Sequence, residues 1–156
     1  MTKNLVWNEK NLKKFWDYWS DKEDAYFAEA FGSVIVRLFS KYYKKDIICV
    51  DYGCGTGGLV NALISNSLNT IGIDYNKRSV KSIIEKYRSK NSFLGAYTVD
   101  QIKNNSIEIN ANIVFTLETI EHILDNHLEE YFANIKNIMV KDSYLIISCP
   151  NNEDLE

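Results

Sequence analysis

From residue 47 onward, short apolar runs alternate with segments of helical periodicity, and this alternation restricts the possible folds. Predicted strands cover residues 47–50, 70–73, 113–117 and 144–149, and a weak strand begins at 92–94. Predicted helices lie between them at 59–64, 80–87 and 128–139. Continuous apolar strands separated by helices are typical of a parallel sheet covered on both faces. The sequence therefore predicts an α/β fold with five strands in one mostly parallel sheet.

The first 45 residues have a different pattern, which predicts a helical N-terminal segment. Leu12, Phe15, Trp16 and Trp19 have the spacing of the apolar face of an amphipathic helix. The capping-box pattern Ser20-x-x-Glu23 predicts the start of a second helix. Residues 1–45 therefore form a helical segment in this interpretation, and residues 46–156 form the sheet domain.

Composition and charge exclude several classes of protein. The net charge of −3 provides no basic footprint for nucleic acid. No apolar stretch is long enough to span a bilayer. The three cysteines form no C-x-x-C pair, and Cys49 and Cys149 are expected to be buried because they lie in apolar runs. These features predict a cytoplasmic protein that acts on a small molecule and makes no membrane contact.

A glycine-rich segment, Asp51-Tyr-Gly53-Cys-Gly55-Thr-Gly57-Gly, joins the first predicted strand to the following helix. Glycines in this position let the backbone turn tightly and approach a ligand closely. Asp74 ends the second predicted strand, 21 residues after Gly53, where a carboxylate can accept hydrogen bonds from ribose hydroxyls. Asp51 suits an ammonium group and would repel the pyrophosphate of a dinucleotide.

This segment, followed by Asp74, resembles the first two motifs of the class I S-adenosylmethionine-dependent methyltransferases. The ending Ser148-Cys-Pro-Asn151 also resembles the fifth-strand ending of that family. The resemblance implies a Rossmann-like fold and S-adenosylmethionine as the cofactor. It assigns the adenine contact to an acidic residue after the third strand, a role that Asp100 takes only if that loop is lengthened. The implied cofactor-binding residues are Asp51, Gly53, Cys54, Gly55, Gly57, Asp74, Tyr75, Asp100 and Leu117.

The family usually has seven strands, of which the last two form an antiparallel pair. This sequence ends at Glu156, just after the fifth predicted strand. We therefore expect those two strands to be absent, as in a C-terminally truncated domain.

Glu118, Glu121 and His122 follow the fourth predicted strand at positions i, i+3 and i+4. Within a helical turn these positions share one face, so the three side chains could hold a divalent ion such as Mg or Mn. The arrangement resembles that of the small-RNA 2′-O-methyltransferases and of the O-methyltransferases of ubiquinone synthesis. In the alternative interpretation, His122 only hydrogen-bonds the loop. His122 is also the best candidate for a general base, since its reference pKa lies near neutrality.

The function predicted from these motifs is methyl transfer from S-adenosylmethionine, with O-methylation of a small molecule or sugar favoured. Two alternatives are a non-catalytic nucleotide-binding fragment and an NAD-dependent oxidoreductase. Aromatic residues of the N-terminal segment, Trp16, Tyr18, Trp19 and Tyr26, could form a lid that keeps water out of the site. For those on the apolar stripe, ordinary core packing is the favoured interpretation.

Overall fold

The computed structural model describes residues 8–20, 22, 26–104 and 107–150, and it confirms the predicted α/β fold. A Rossmann-like sheet of five parallel strands has the order β3-β2-β1-β4-β5. The strands are β1 (Ile48–Tyr52), β2 (Asn69–Asp74), β3 (Phe93–Thr98), β4 (Ala111–Leu117) and β5 (Met139–Ser148). The helices are α1 (Glu9–Trp19), α2 (Phe27–Leu38), α3 (Gly58–Ser65), α4 (Lys77–Tyr87), α5 (Val99–Lys103) and α6 (Leu128–Ile138).

The central strand β1 pairs with β2 on one side and with β4 on the other. Asp51 lies opposite Gly72 in β2 and opposite Phe115 in β4. The strand order changes direction between β1 and β4, since β2 and β3 continue to one side and β4 and β5 to the other. In open parallel sheets such a switch point leaves a crevice at the carboxyl ends of the strands, where ligands bind.

Helices cover both faces of the sheet, as predicted. Alternate residues of β1 pack against different layers of helices. Cys49 packs with α2 and α3 on one face, and Val50 packs with α5 and α6 on the other. Helix α4 lies on the same face as α3, where Val80 and Ile83 contact Val60. Burial on both faces of β1 and β4 explains why their apolar residues run consecutively instead of alternating with polar ones.

Helix α2 approaches α3 at two glycines. A Cβ atom on Gly58 would lie 2.6 Å from the backbone nitrogen of Glu29. A Cβ atom on Gly32 would lie 3.2 Å from the Cβ atom of Ala62. Gly58 therefore serves the packing of two helices in addition to any role in the glycine-rich loop.

The predicted start of the second helix is wrong. Ser20 is the C-cap of α1, and α2 begins at Phe27 after Tyr26, whose side chain makes no capping hydrogen bond. Glu23 lies outside the described residues. A true capping box occurs elsewhere, at Thr98 and Gln101, where it starts the short helix α5 that the sequence interpretation omitted.

The fifth strand also differs from its prediction, because Met139, expected in α6, is the first residue of β5. The pairing of β4 and β5 has a register shift between Ala111 and Ile113. Cys149, expected to be buried, is exposed, whereas Cys49 is fully buried as predicted. None of the described helices combines the length and apolar character needed to cross a lipid bilayer.

Candidate active site

A cavity of about 1070 Å³ opens at the carboxyl ends of β1, β2 and β4, with α1 along one side. Its size is that of a site for a drug-sized ligand. Most of the residues predicted from the sequence to form a site line it, namely Asp51, Gly53, Cys54, Gly55, Asp74, Tyr75, Leu117, Glu118, Glu121 and His122. Gly57 and Asp100 are not among its lining residues.

Asp74 fastens the glycine-rich loop to the end of β2. One carboxylate oxygen accepts a hydrogen bond from the backbone nitrogen of Gly55 at 2.8 Å, and the other accepts from that of Asn76 at 2.6 Å. Burial raises the pKa of Asp74, and the two backbone donors partly offset this shift. Each oxygen keeps a lone pair for a ligand, so Asp74 can bind ribose hydroxyls while it holds the loop.

Asp51 is a buried carboxyl group, with 4% of its surface exposed. Burial, and next the nearby charge of Asp74, raise the pKa of Asp51 to about 8. Among the described residues, no lysine, arginine or histidine forms an ion pair with it. A cationic ligand group in the cavity would favour its ionised form, which is the behaviour expected of a site for an ammonium group.

Two glycines of the loop, Gly53 and Gly55, lie so close to other side chains of the protein that a larger residue would not fit. Gly53 and Gly55 have φ angles of +96° and +49°, in the left-handed region that favours glycine. A Cβ atom on Gly53 would lie 2.5 Å from Oγ1 of Thr119, and one on Gly55 would lie 2.6 Å from the ring of Tyr26. Close packing around the loop therefore excludes side chains there before any ligand is considered.

Gly57 and Asp100 have other positions. Gly57 is the N-cap of α3 with a φ angle of +91°, and its carbonyl accepts a hydrogen bond from the Tyr87 hydroxyl at 3.4 Å. Asp100 lies in the first turn of α5 and lines a second, smaller cavity together with Asp17 and Arg78. The preceding residue, Val99, lines the main cavity. Because α5 starts directly after β3, the lengthened loop that would carry Asp100 inward is replaced by a helix.

Glu118 does not share a helical face with Glu121 and His122. It has a φ angle of +49° and precedes a short 3-10 turn over Ile120–His122. Its carboxylate accepts a hydrogen bond from the Ser148 hydroxyl at 2.8 Å, and its backbone nitrogen donates to the Ser148 carbonyl at 3.1 Å. Across the described ranges, no three histidine, cysteine, aspartate or glutamate side chains are grouped to hold a metal ion. The predicted Mg or Mn site at Glu118, Glu121 and His122 is therefore unsupported.

His122 is enclosed by aromatic rings of α1. Its ring centroid lies 4.9 Å from that of Trp16 and 6.2 Å from that of Phe15. Burial lowers the pKa of His122 and raises that of Glu121, whose Oε1 lies 3.7 Å from His122 Nε2. Burial therefore favours the neutral imidazole, which is the form that can accept a proton.

Helix α1 spans the cavity from the end of β2 to the loop after β4. Asn76 donates a hydrogen bond to Asp17 at 3.0 Å, and Glu9 lies 3.7 Å from His127. No residue of α1 is fully buried, so its apolar stripe faces the cavity instead of a closed core. This contradicts the favoured interpretation of ordinary core packing for Trp16 and Trp19.

Tyr52 is a cavity residue that sequence reasoning missed. It lines the cavity together with Asn134, and it is only 2% exposed. Its ring packs edge-on against Tyr131 at a centroid distance of 5.3 Å. The sequence contained a signal for it, since a polar group directly after Asp51 in the glycine-rich segment has to lie at the carboxyl end of β1.

Residues 18–156 match a protein family described as Methyltransferase domain, which is most of the chain. The chain belongs to this family. No protein of curated function matches the sequence significantly.

Solved structures with the same fold extend this result. A phosphoethanolamine N-methyltransferase of Haemonchus contortus, in complex with phosphoethanolamine and S-adenosylhomocysteine, has a TM-score of 0.68 and 18% identity over 92% of this chain and 32% of that one. An S-adenosylmethionine-dependent methyltransferase of Archaeoglobus fulgidus has a TM-score of 0.65 and 21% identity over 88% of this chain and 59% of that one. The methyltransferase domain described here thus spans about a third of the first relative and three fifths of the second.

Proposed function

We propose that this methyltransferase domain binds S-adenosylmethionine and transfers its methyl group to a small-molecule acceptor. The observation that carries the proposal is the pairing of two buried or half-buried carboxylates, Asp51 and Asp74, at adjacent strand ends. The glycine-rich loop lies between them and lines the same cavity. These features fit the donor, because Asp74 suits ribose hydroxyls and Asp51 suits the ammonium of the methionine part.

The remaining predicted contacts are distributed around the same cavity. Gly53, Cys54 and Gly55 would bound the methionine part, and Tyr75 and Leu117 would bound the ribose and the path to the acceptor. Gly57 would act through the turn that starts α3. Asp100 is poorly placed for the adenine contact because it lies on α5 and does not line the main cavity. Val99 lines that cavity and is the better candidate for this contact.

In this proposal His122 is the general base. It lies in the cavity beside the aromatic rings of α1, where burial favours its neutral form, and Glu121 stands near enough to stabilise its protonated form. The acceptor would bind beside His122, in the part of the cavity that α1 borders. The donor, which already carries the activated methyl group, would need only orientation and exclusion of water.

The N-terminal segment, residues 1–45, would serve as the lid of the sheet domain, residues 46–156. Support for this comes from the contacts of α1 with both sides of the cavity, through Asp17 and Asn76 at one end and through Trp16 and His122 at the other. A lid of this kind opens for ligand exchange and closes to exclude water.

S-adenosylhomocysteine should bind the domain and raise its melting temperature by mass action. Asp74→Ala should weaken this binding by about 1–3 kcal/mol, the range for a lost hydrogen bond to a charged group. Isothermal titration calorimetry measures the affinity, and Glu85→Ala, an exposed carboxylate of α4, is the matched control.

Unchanged affinity in a folded Asp74→Ala variant would move the ribose contact elsewhere. Titration with NADH distinguishes a methyltransferase from an NAD-dependent oxidoreductase. A domain that binds NADH but does not bind S-adenosylhomocysteine would favour the oxidoreductase. Donor binding without methylation of any acceptor would favour the non-catalytic fragment. Asp100→Ala in the series tests the adenine assignment directly.

Methyl transfer should be insensitive to metal removal. The hypothesis of Mg or Mn stimulation, and with it the preference for O-methylation, depended on three converging ligands, but Ser148 binds Glu118. Transfer of label from tritiated S-adenosylmethionine to low-molecular-weight acceptors, before and after treatment with EDTA, measures this. A loss of transfer that Mn restores would reinstate the metal site and the hydroxyl acceptor.

A cytoplasmic location stays a prediction.

A further inference from the structure

Asn76 lies where the side of the cavity assigned to the methyl donor meets helix α1. It follows Asp74, the carboxylate assigned to the ribose, by two residues. It lines both the main cavity and the smaller cavity beside it, and only 7% of its surface is exposed. Buried polar groups need hydrogen-bond partners, so the partners of Asn76 indicate what it does.

Three hydrogen bonds join Asn76 to three different parts of the chain. Its backbone nitrogen donates to one carboxylate oxygen of Asp74 at 2.6 Å. Its Oδ1 accepts from the backbone nitrogen of Arg78 at 2.8 Å and so caps α4. Its Nδ2 donates to Oδ1 of Asp17 in α1 at 3.0 Å. The orientation of the amide follows from these partners, because the Arg78 nitrogen can only donate and the ionised carboxylate can only accept.

Helix α1 has weak attachments elsewhere, which gives the contact with Asn76 its importance. No residue of α1 is fully buried. Glu9 and His127 lie 3.7 Å apart, but both side chains are largely exposed, and exposed ion pairs contribute little. The hydrogen bond to Asp17, in contrast, joins α1 to a buried residue of the sheet domain. A helix held in this way can open while the rest of the domain stays folded.

We propose that Asn76 is a positioning residue that couples binding of the donor ribose to closure of α1. This role rests on the proposed function, because it takes Asp74 as the ribose-binding carboxylate. Ribose hydroxyls on Asp74 restrict the backbone of Asn76, and with it the amide that Asp17 meets. That restriction lowers the entropy cost of docking α1. The coupling is reciprocal, so a closed α1 also retains the donor.

Tryptophan fluorescence measures the coupling, because the three tryptophans are at positions 7, 16 and 19, all before the sheet domain. Trp16 and Trp19 line the main cavity. Saturating S-adenosylhomocysteine should therefore reduce the quenching of wild-type tryptophan fluorescence by acrylamide. Failure of S-adenosylhomocysteine to bind, measured by calorimetry, overturns the proposed function. Binding that leaves the quenching unchanged overturns the coupling alone.

Asn76→Asp separates the two roles of the side chain. A carboxylate can still cap α4 at Arg78, but it cannot donate to Asp17. We expect S-adenosylhomocysteine to bind about tenfold more weakly and quenching to stay high when the ligand is saturating. Asp17→Asn added to this variant restores a hydrogen bond with donor and acceptor exchanged. The double variant should recover most of the affinity and of the protection from acrylamide, and no recovery would refute the coupling.

A matched pair of variants on α1 leaves the donor side of the cavity unchanged. Asp17→Ala removes the acceptor of Asn76, whereas Lys13→Ala removes the exposed ammonium that lies 3.2 Å from Asp17. Both variants place alanine in the same helix and break the same ion pair. Asp17→Ala should lose the protection from acrylamide at saturating ligand, and Lys13→Ala should keep it. Identical behaviour of the two would refute the coupling, and this comparison holds even if Asn76→Asp fails to fold.

Discussion

Replacing Asp51 with asparagine should stabilise the ligand-free domain at neutral pH and weaken its binding of S-adenosylhomocysteine. The carboxyl group has a pKa of about 8 in the folded chain because it is buried near Asp74. Folding therefore takes up a proton at pH 7 that the unfolded chain does not hold. An amide of the same shape avoids this cost but cannot pair with an ammonium group, which should weaken binding by about 1.5–3 kcal/mol.

The sign of the pH dependence follows from the direction of the shift. Between the ordinary aspartate pKa and about 8, the folded state binds one more proton at Asp51 than the unfolded state. The free energy of unfolding therefore falls as pH rises through this window, by up to about 1.4 kcal/mol per pH unit for one proton. Ligand binding should release that proton, because an ammonium beside Asp51 favours the carboxylate.

Denaturant unfolding of both proteins from pH 5 to 9 isolates the effect of Asp51, since every other group is shared. The wild type should lose stability relative to Asp51→Asn as pH rises. Calorimetry in buffers of different ionisation enthalpy should detect proton release for the wild type only. Asp142→Asn, at an exposed position of β5, controls for the substitution itself. Parallel unfolding curves and equal affinities would show that Asp51 does not receive the ammonium.

Gly58→Ala should destabilise the domain by about 2–3 kcal/mol, near the upper end for overpacking, because the added methyl group meets backbone instead of a movable side chain. Its Cβ atom would lie 2.6 Å from the nitrogen of Glu29 and 2.7 Å from the carbonyl carbon of Ala28. Helix α2 would have to move away from α3. The hydrogen bond of 2.9 Å from Thr56 to Glu29 would carry that displacement into the glycine-rich loop.

Thermal unfolding should show a fall in melting temperature of roughly 5–10 °C for a domain of this size. Asn61→Ala places the same residue type on the exposed side of the same helix α3 and should change the melting temperature little. If Gly58→Ala lowers the melting temperature no more than Asn61→Ala does, the close approach of α2 does not require a glycine at position 58.

Patterns within one element predicted much of the fold. The runs that contain Val50, Ile71 and Val114 are short and mainly apolar and are bounded by polar residues, so their strands could be placed from the sequence alone. The loop and Asp74 could be placed as well, because their spacing is set by the length of one helix between two parallel strands. The same sequence contained the capping box at Thr98, which would have located α5 if the short helix had been considered.

Other features depend on contacts between distant elements, and the sequence could not reveal them. The backbone of Glu118 adopts a positive φ because Ser148 on the neighbouring strand holds it, so a helical face through Glu118 and His122 was the wrong assumption. The apolar stripe of α1 could equally have faced a core or a cavity. Cys149 looked like a core residue because it ends an apolar run, but that run belongs to a strand at the edge of the sheet.

The parallel sheet also governs when the cavity can form during folding. Its floor is built from β1 and β4, and the contact between them from Ile48 to Asn112 joins residues 64 positions apart. Closing so long a loop costs entropy before the strand contacts repay it, which slows folding. A ligand that needs both strands can bind only after they pair. Occupancy of the cavity therefore lengthens the lifetime of the folded domain without shortening the time that the chain takes to reach it.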